Sequence, residues 1–357
     1  MFEETDNNKR YVPLNVIGRI TPARNAPIRR RNPHQPRVAI IIVNWNGKND
    51  TIDCLKSLGK ITYRNHDIVV VDNGSTDDSV KQLKKNHPEA AIIETGENLG
   101  LAEGNNVGMR YALKEWKPKY LLILNNDIVV KPDFVDAFVR AMESSPDVSV
   151  AAPKIYYYYG NRKTLWSVGI KITPKGFCSI GLDELDRGQY DRQAYVDALH
   201  CVMFFRSNAV KETKIIPRGK HWKPWAGQRI LDQFFDGRMF IMIEEPEICL
   251  RTTLRKGYNC IYVPEAVIWH KVARSAHRDY ARGTARAIYY DRRNWLVAVR
   301  DNYGIPAFIG ATLVEIGLFA FYRGFKFILT KRPDLIRANF LGLLDGILYR
   351  MHKWRDS

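Results

Sequence analysis

The sequence predicts an α/β fold: a doubly wound, mostly parallel sheet followed by a C-terminal helical appendage that associates with a membrane. Three observations carry this expectation. Apolar, β-branched runs alternate with segments of helical spacing from Val38 to Ile155. Polar clusters close three of those runs. Beyond Gly304 the alternation gives way to one long apolar stretch and then to amphipathic, cationic sequence.

Residues 1–36, with "ARNAPIRRRNPHQPR", read as a flexible basic arm or a solvated tail, and they lack the uninterrupted apolar core of a signal peptide. Order begins at "RVAIIIVNWNG", where Val38 to Val43 is the continuous apolar run of a strand covered on both faces. "DTIDCLKSLGK" follows with helical spacing and Gly59 as its stop. Strand "DIVVVD", helix "DDSVKQLKKNH", strand "AAIIET" and helix "NNVGMRYALKEW" come next. Strand "KYLLILNND", helix "KPDFVDAFVRAMESS" and strand "VSVAAPKI" complete the series. Strands and helices at this spacing build parallel βαβ units, and ligands of such sheets bind at the carboxyl ends of the strands. Asn44-Trp45-Asn46, Asp72-Asn73-Gly74 and Asn125-Asn126-Asp127 fall at those ends. Each alone is compatible with turn chemistry; three on one edge point to a ligand site.

The formal net charge of +17 suggests an anionic partner: nucleic acid, an acidic membrane surface or a phosphorylated substrate. The five cysteines are scattered without a C-x-x-C pair, the pattern of reduced structural thiols in a cytoplasmic protein. No G-x-G-x-x-G opens the first βα turn and no G-x-x-x-x-G-K-[ST] occurs, which disfavours dinucleotide redox chemistry and P-loop phosphoryl transfer.

"IIIVNWNG", "VVVDNGSTDDSV", "ENLGLAEGNNVGM" and "LLILNNDIVV" resemble, in order and spacing, the donor half of family 2 inverting glycosyltransferases with a GT-A fold, in particular the rhamnosyltransferase-like group. "FFDGRMFIMIEEPEICLRTTLRKGYNCIYVPEAVIWH" resembles that group's acceptor-side block. The resemblance spans residues 37–275 and divides them into a nucleotide-sugar half, 37–155, and an acceptor half, 156–275; residues 276–357 form the helical segment. It implies that Asp72 recognises the nucleotide base and that Asn44 and Trp45 line the base and ribose pocket. It places Gly100 and Asn105 beside the nucleotide, and Asn125 and Asn126 at the donor. Asp127 would hold a divalent metal, Mg²⁺ or Mn²⁺, on the diphosphate, with His270 joining its shell. Glu244-Glu245 matches the acid pair whose second member is the catalytic base.

The chemistry of glycosyl transfer asks for these groups. A leaving nucleoside diphosphate gathers negative charge that a carboxylate-held metal neutralises, and a hydroxyl acceptor needs a general base on the opposite face of the sugar. The residues alone also allow plainer roles: Asp127 as a strand-end cap, His270 as a packed core histidine, and the two glutamates as helix-start acids beside Pro246. The sequence departs from the family where Asn125 replaces an acid, where Glu244-Glu245-Pro246-Glu247 replaces E-D-x-D, where His200 stands in a place usually held by Gly, and where "KETKIIPRGKHWKPWAGQR" is inserted.

In "GIPAFIGATLVEIGLFAF" the single acid Glu315 interrupts an apolar run a little short of the roughly 20 residues a spanning helix wants. An interfacial hairpin is expected, with Lys326, Lys331, Arg332, Arg337 and Arg350 toward lipid phosphates; a helical pair packed on the catalytic domain is the alternative.

The expected activity is transfer of a sugar, with inversion, from a nucleotide-sugar donor to a hydroxyl acceptor. That acceptor is expected to be a lipid-linked saccharide or polysaccharide met at the cytoplasmic face of the cell membrane. No nucleic acid is expected as partner. A sugar-phosphate nucleotidyltransferase is disfavoured because "VNWNGKNDT" holds one Gly and no Arg. A non-catalytic nucleotide-sugar binder and a basic nucleic-acid-binding protein are the alternatives from other classes, the latter recognisable by affinity that falls steeply with salt.

Overall fold

The computed structural model describes residues 18–23, 32, 34–173, 176–215, 233–272, 284–350 and 354. The chain enters the sheet at β1 (Arg19–Thr21), then forms β2 (Val38–Asn44), whose seven residues are all buried. α1 (Lys48–Leu58), β3 (His66–Asp72), α2 (Ser79–Asn86), β4 (Ala90–Glu94), α3 (Leu101–Glu115) and β5 (Tyr120–Asn125) follow. They build the parallel half of the sheet, in the order β4-β3-β2-β5. Strict side-chain alternation divides the core between the two faces. Ile40 and Ile42 pack with Leu55, Phe134 and Phe138 on one side, and Ile41 and Val43 with Val107 and Ala112 on the other. Helices on both faces make β2 the continuous apolar run read in the sequence.

β6 (Ile128–Val130) and α4 (Phe134–Glu143) lead to β7 (Val148–Tyr157). β8 (Leu165–Ser167), the hairpin of β9 (Ile170–Thr173) and β10 (Gly176–Ser179), and β11 (Ala194–Val196) precede β12 (Val202–Arg206) and α5 (Ser207–Glu212). α6 (Glu244–Lys256) and β13 (Asn259–His270) end the domain, and α7 (Ala285–Leu318), α8 (Gly324–Leu329) and α9 (Pro333–Ile347) form the C-terminal segment. The full sheet of eleven strands runs β1-β4-β3-β2-β5-β12-β7-β13-β11, with β6 on β13 and β8 on β7. β12 lies antiparallel between β5 and β7, so the second half is mixed.

The flexible reading of the N-terminal arm is corrected at one place. Arg19–Thr21 pairs antiparallel with β4 in the register Arg19↔Glu94, covering what would otherwise be an open parallel edge. The rest of that arm lies almost entirely outside the described residues, as do 216–232 of the inserted segment.

α7 is one helix only nominally. Gly304 at φ 81°, ψ −175° breaks it just ahead of Pro306. Trp295, Leu296 and Val299 before the break, Ala311 after it and Leu343 of α9 form one buried cluster. The outer side is different: Ile305, Ile309, Leu313, Ile316, Phe321, Phe325 and Leu329 are all exposed. The C-terminal segment packs on the α/β domain with one face, where Trp295 meets Phe177 edge-on, and presents an apolar strip with the other.

Candidate active site

The carboxyl ends of β2, β3 and β5 meet at one edge, where Asn44 pairs with Asp72 in register and Val43 with Asn125. A cavity of about 870 Å³ opens there. Trp45, Gly100, Asn125, Asn126, Asp127 and His270 line it, as do Glu244 and Glu245.

Asn44, Asp72 and Asn105 stand behind that wall, each buried. Asn44 Nδ2 donates to Asp72 Oδ2 (2.8 Å), and the Ser75 amide donates to Asp72 Oδ1 (3.0 Å). Thr51 Oγ1 donates to Asn44 Oδ1 (2.7 Å) and accepts from Asn126 Nδ2 (3.0 Å). The carboxylate at the tip of β3 thus ties the β3–α2 turn to the end of β2. The neighbouring Asn73 reaches the cavity itself, and its amide fixes the loop before α3 by donating to Gly100 O (3.0 Å) and Asn98 Oδ1 (3.2 Å). Gly100 is required where it stands: its φ is +85°, and a Cβ would lie 2.5 Å from Phe240 O. That carbonyl accepts the Leu101 amide at the start of α3 (2.6 Å).

Asp127 and His270 come from remote parts of the chain. β13 pairs antiparallel with β6 over its last three residues, His270 opposite Ile128, and the Lys271 amide donates to Asp127 O (3.0 Å). His270 Nε2 then lies 3.2 Å from Asp127 Oδ2. Lys271 itself is neutralised by Asp50 (2.9 Å) and Asp53 (2.8 Å) of α1. Two donors at this spacing on a cavity wall fit one divalent ion. Among the described residues no third His, Cys, Asp or Glu completes a cluster with them. Such a pair leaves most of an ion's shell to oxygens from outside the protein, an arrangement Mg²⁺ tolerates.

On the far side of His270, Cys201 Sγ lies 3.8 Å from Nδ1, and the Cys201 amide donates to Glu245 Oε1 (2.8 Å). Glu245 Oε2 lies 3.9 Å from His200 Nδ1, and His200 Nε2 meets Ser179 Oγ at 2.9 Å. Trp166 stands edge-on to both imidazoles, 5.0 Å from His200 and 4.7 Å from His270 between centroids. An unbroken series of contacts therefore runs from Asp127 to Glu245. His200, noted in the sequence only as a departure, and Trp166, missed altogether, hold its centre.

The two glutamates differ in surroundings. Glu245 keeps some solvent exposure and has a backbone donor. Glu244 is buried, its Oε2 has no hydrogen-bond partner, and desolvation pushes its pKa up to about 7 despite the helix start.

The segment delivering both acids is strained. Phe240, Met242 and the β-branched Ile243 have φ of 60°, 67° and 71°, a region costly to residues with a Cβ. α7 holds it there. Asn294 Nδ2 lies 2.8 Å from each of the carbonyl oxygens of Met239, Ile241 and Met242, and Arg293 Nη2 donates to Arg238 O (2.8 Å). No sequence signal marks this loop, because it contains no glycine between Phe240 and Ile243.

Residues 39–211 match the family described as Glycosyl transferase family 2. The low-salt glycan biosynthesis hexosyltransferase Agl10 of Haloferax volcanii is 30% identical over 177 residues, 48% of this chain and 53% of that protein. The match thus spans about half the length of that relative. The N-acetylglucosaminyl-diphospho-decaprenol L-rhamnosyltransferase of Mycobacterium tuberculosis is 24% identical over 248 residues, 64% of this chain and 73% of that protein. Among solved structures, S. aureus TarS 1-349 in complex with UDP-GlcNAc aligns with TM-score 0.55 and 14% identity, covering 87% of this chain and 81% of its own. GalNAc-T7 with UDP, GalNAc and Mn²⁺ aligns with TM-score 0.56 and 14% identity, covering 75% of this chain and 48% of its own. At this identity the two structures speak for the fold, which is GT-A-like.

Glu244 yields a stability prediction. Its pKa is raised on folding, so its neutral form stabilises the fold below the ordinary glutamate range, and that contribution is lost as pH rises through about 7. Glu244→Gln should be more stable than the wild type at pH 8, by on the order of 1–3 kcal/mol. The difference should close toward pH 4.5. Denaturant unfolding at the two pH values checks this, and a gain independent of pH would contradict it.

Proposed function

We propose that this chain, which carries a glycosyl transferase family 2 domain over residues 39–211, transfers a sugar from a nucleoside-diphosphate donor to a hydroxyl of a lipid-linked saccharide, with inversion. The observation that carries the proposal is one cavity lined by the Asp127–His270 pair and by Glu245, joined through Cys201. The UDP-GlcNAc complex of TarS supports a nucleotide-sugar donor, and the diphospho-decaprenol acceptor named for the mycobacterial relative supports a lipid-linked one.

In this reading Trp45, Asn73, Asn125 and Asn126 line the donor side, while Asn44 and Asp72 hold the strand tips that position them. Asp127 and His270 would hold a divalent ion, whose chemistry when bound is to offset charge on the departing diphosphate. Glu245 takes the proton of the acceptor hydroxyl. The hydroxyl oxygen forms the new bond to the anomeric carbon as the bond to the diphosphate breaks on the opposite face. The Cys201 amide fixes the carboxylate's direction, and His200 Nδ1 lies 3.9 Å from its other oxygen.

The test is incubation with a panel of nucleotide sugars and Mn²⁺, following released nucleoside diphosphate. Glu245→Gln should lower turnover about 10²- to 10⁴-fold with donor affinity nearly unchanged, because the loss falls on the transition state. Wild-type turnover in Glu245→Gln with a dead Glu244→Gln would exchange their roles. Asp127→Asn should abolish the Mn²⁺-dependent part of donor affinity in calorimetry; equal affinity with and without Asp127 would remove the metal from this site.

The same proposal places the protein on the cytoplasmic face of a membrane. Among the described residues one helix, Ala285–Leu329, is long and apolar enough to cross a membrane, with only 6% of its apolar window buried. The break at Gly304 and the packing of α7 on α9 favour lying in the interface. Lys326, Lys331, Arg332, Arg337 and Arg350 are all exposed, beside the apolar strip. Since Leu343 and Ala311 share a core, deleting the helices would open it, and point changes test the idea better. Leu313→Glu with Phe325→Glu should release the protein from anionic vesicles in flotation, whereas high salt should weaken wild-type binding only in part. Equal flotation of both proteins would refute the interface.

A further inference from the structure

Glu315, the acid that interrupts the apolar run, is fully buried. Arg292 Nη1 donates to both of its oxygens (3.1 Å each), and Arg323 Nη1 donates to Oε2. Both arginines line the same cavity as Glu245. Arg292 is also bound by Asp291, and its Nε is buried without a partner. Arg323 is committed less: among the described residues its Nε and Nη2 have no protein partner. Two guanidinium groups therefore share Glu315 inside the cavity, and Asp291, on the same lining, takes Arg292 as well.

The backbone is built to bring Arg323 there. Eight residues of regular α-helix turn through about 800°, which leaves its ends some 80° apart around the axis. Phe319–Arg323 is a π turn, closed by the Gly324 amide donating to Phe319 O. Its slower winding returns Arg323 to the side of Glu315. A Cβ at residue 324 would lie 2.7 Å from Phe319 O, so the turn depends on a glycine there. On either side of Arg323 the apolar residues face outward: Phe321 is 86% exposed, and Tyr322 and Phe325 are exposed too.

We infer that Arg323 and Arg292 form an anion subsite for the phosphate or diphosphate joining an acceptor saccharide to its lipid. The inference rests on the reading of the chain as a glycosyltransferase with a lipid-linked acceptor. Glu245 and the two guanidinium groups line one cavity, and the residues flanking Arg323 in sequence are apolar and exposed. A lipid-linked acceptor carries the three matching chemistries: a sugar hydroxyl, a phosphate and a lipid. Guanidinium forks match phosphate oxygens two at a time, and Glu315 keeps the pair charged and in place until the ligand competes for it. Ordinary headgroups fit less well, since these side chains are only 17% and 21% exposed, whereas Lys326 and Lys331 lie open on the outer surface.

The test uses the full chain in neutral detergent, with farnesyl diphosphate and farnesol as ligands, binding being followed by tryptophan fluorescence. Wild type should bind the diphosphate at least about tenfold more tightly than the alcohol. Arg323→Gln should lose roughly ten- to a hundredfold of that affinity. Glu315→Gln removes the competing carboxylate and should tighten binding, a gain that misfolding cannot imitate. Asp127→Asn should bind farnesyl diphosphate as the wild type does; a loss there would move the anion to the donor site and overturn the inference. Equal affinity of Arg323→Gln and wild type, or weaker binding by Glu315→Gln, would overturn it as well. Flotation with phosphatidylglycerol vesicles separates the sources: Arg323→Gln should float like the wild type, and its release would give the arginines to bulk headgroups. These outcomes are independent of turnover, so absence of activity with every nucleotide sugar would sink the glycosyltransferase reading without deciding the subsite.

Discussion

The amide of Asn294 holds the active site and the C-terminal helices to one another. Its nitrogen lies 2.8 Å from each of three carbonyl oxygens in the segment Met239–Met242. Strain in that segment has a direct use. A left-handed Ile243 immediately before Glu244 turns the chain sharply enough that α6 starts at the cavity wall. Backbone in that region costs on the order of 1–3 kcal/mol per residue and persists only where its surroundings over-determine it. Three carbonyls gathered around the two-hydrogen amide of one buried side chain, with a fourth, Arg238 O, taken by Arg293 and a fifth, Phe240 O, taken by the start of α3, meet that requirement. The helical stretch that keeps the acids of α6 in place thus continues, across the break at Gly304, into the one that faces outward with apolar residues.

This coupling explains how a site can be assembled from both halves of a mixed sheet. At one end of the cavity the strand tips are cross-tied by Asn44, Thr51, Asp72 and Asn126. Elsewhere its lining includes loops and a helix start whose polar groups are less complete: Glu244 Oε2, Arg292 Nε and Trp295 Nε1 are all buried without partners. Unmade hydrogen bonds in a buried setting are costly. These three belong to residues that line one cavity, where a polar ligand could complete them.

Much of this was legible in the sequence, and the limit has a physical cause. The strands of the parallel half and the polar residues at their tips follow from local pattern, because a strand covered on both faces must be apolar and its end must not be. Pro246 and Gly257 bracketed α6 for similarly local reasons. What the pattern could not carry is pairing between distant segments. β12 enters antiparallel between β5 and β7, and β6 meets the end of β13. Only the second pairing brings His270 to Asp127. Asp72 is the instructive case: its position at a strand tip was readable, but whether its carboxylate faced the cavity or the turn depended on Asn44 and Ser75 filling both its oxygens.

Glu315 and the net charge show the same limit from the opposite direction. Read along the chain, an acid in an apolar run argues against a spanning helix, and an excess of 17 positive charges argues for an anionic partner. Folded, several of those charges are spent inside. Arg251 is bound by Glu247, Arg238 by Asp236 and Asp301, and Arg292 and Arg323 by Glu315. A buried charge is costly unless paired, so these arginines are part of the fold and say little about nucleic acid. Around Glu315 two arginines meet two acids, Glu315 and Asp291, so the cluster is balanced as it stands. Because Arg323 sits where the cavity meets the apolar strip, its uncommitted Nε and Nη2 lie between the polar and the apolar parts of the surface, where an amphiphilic anion would carry its charge.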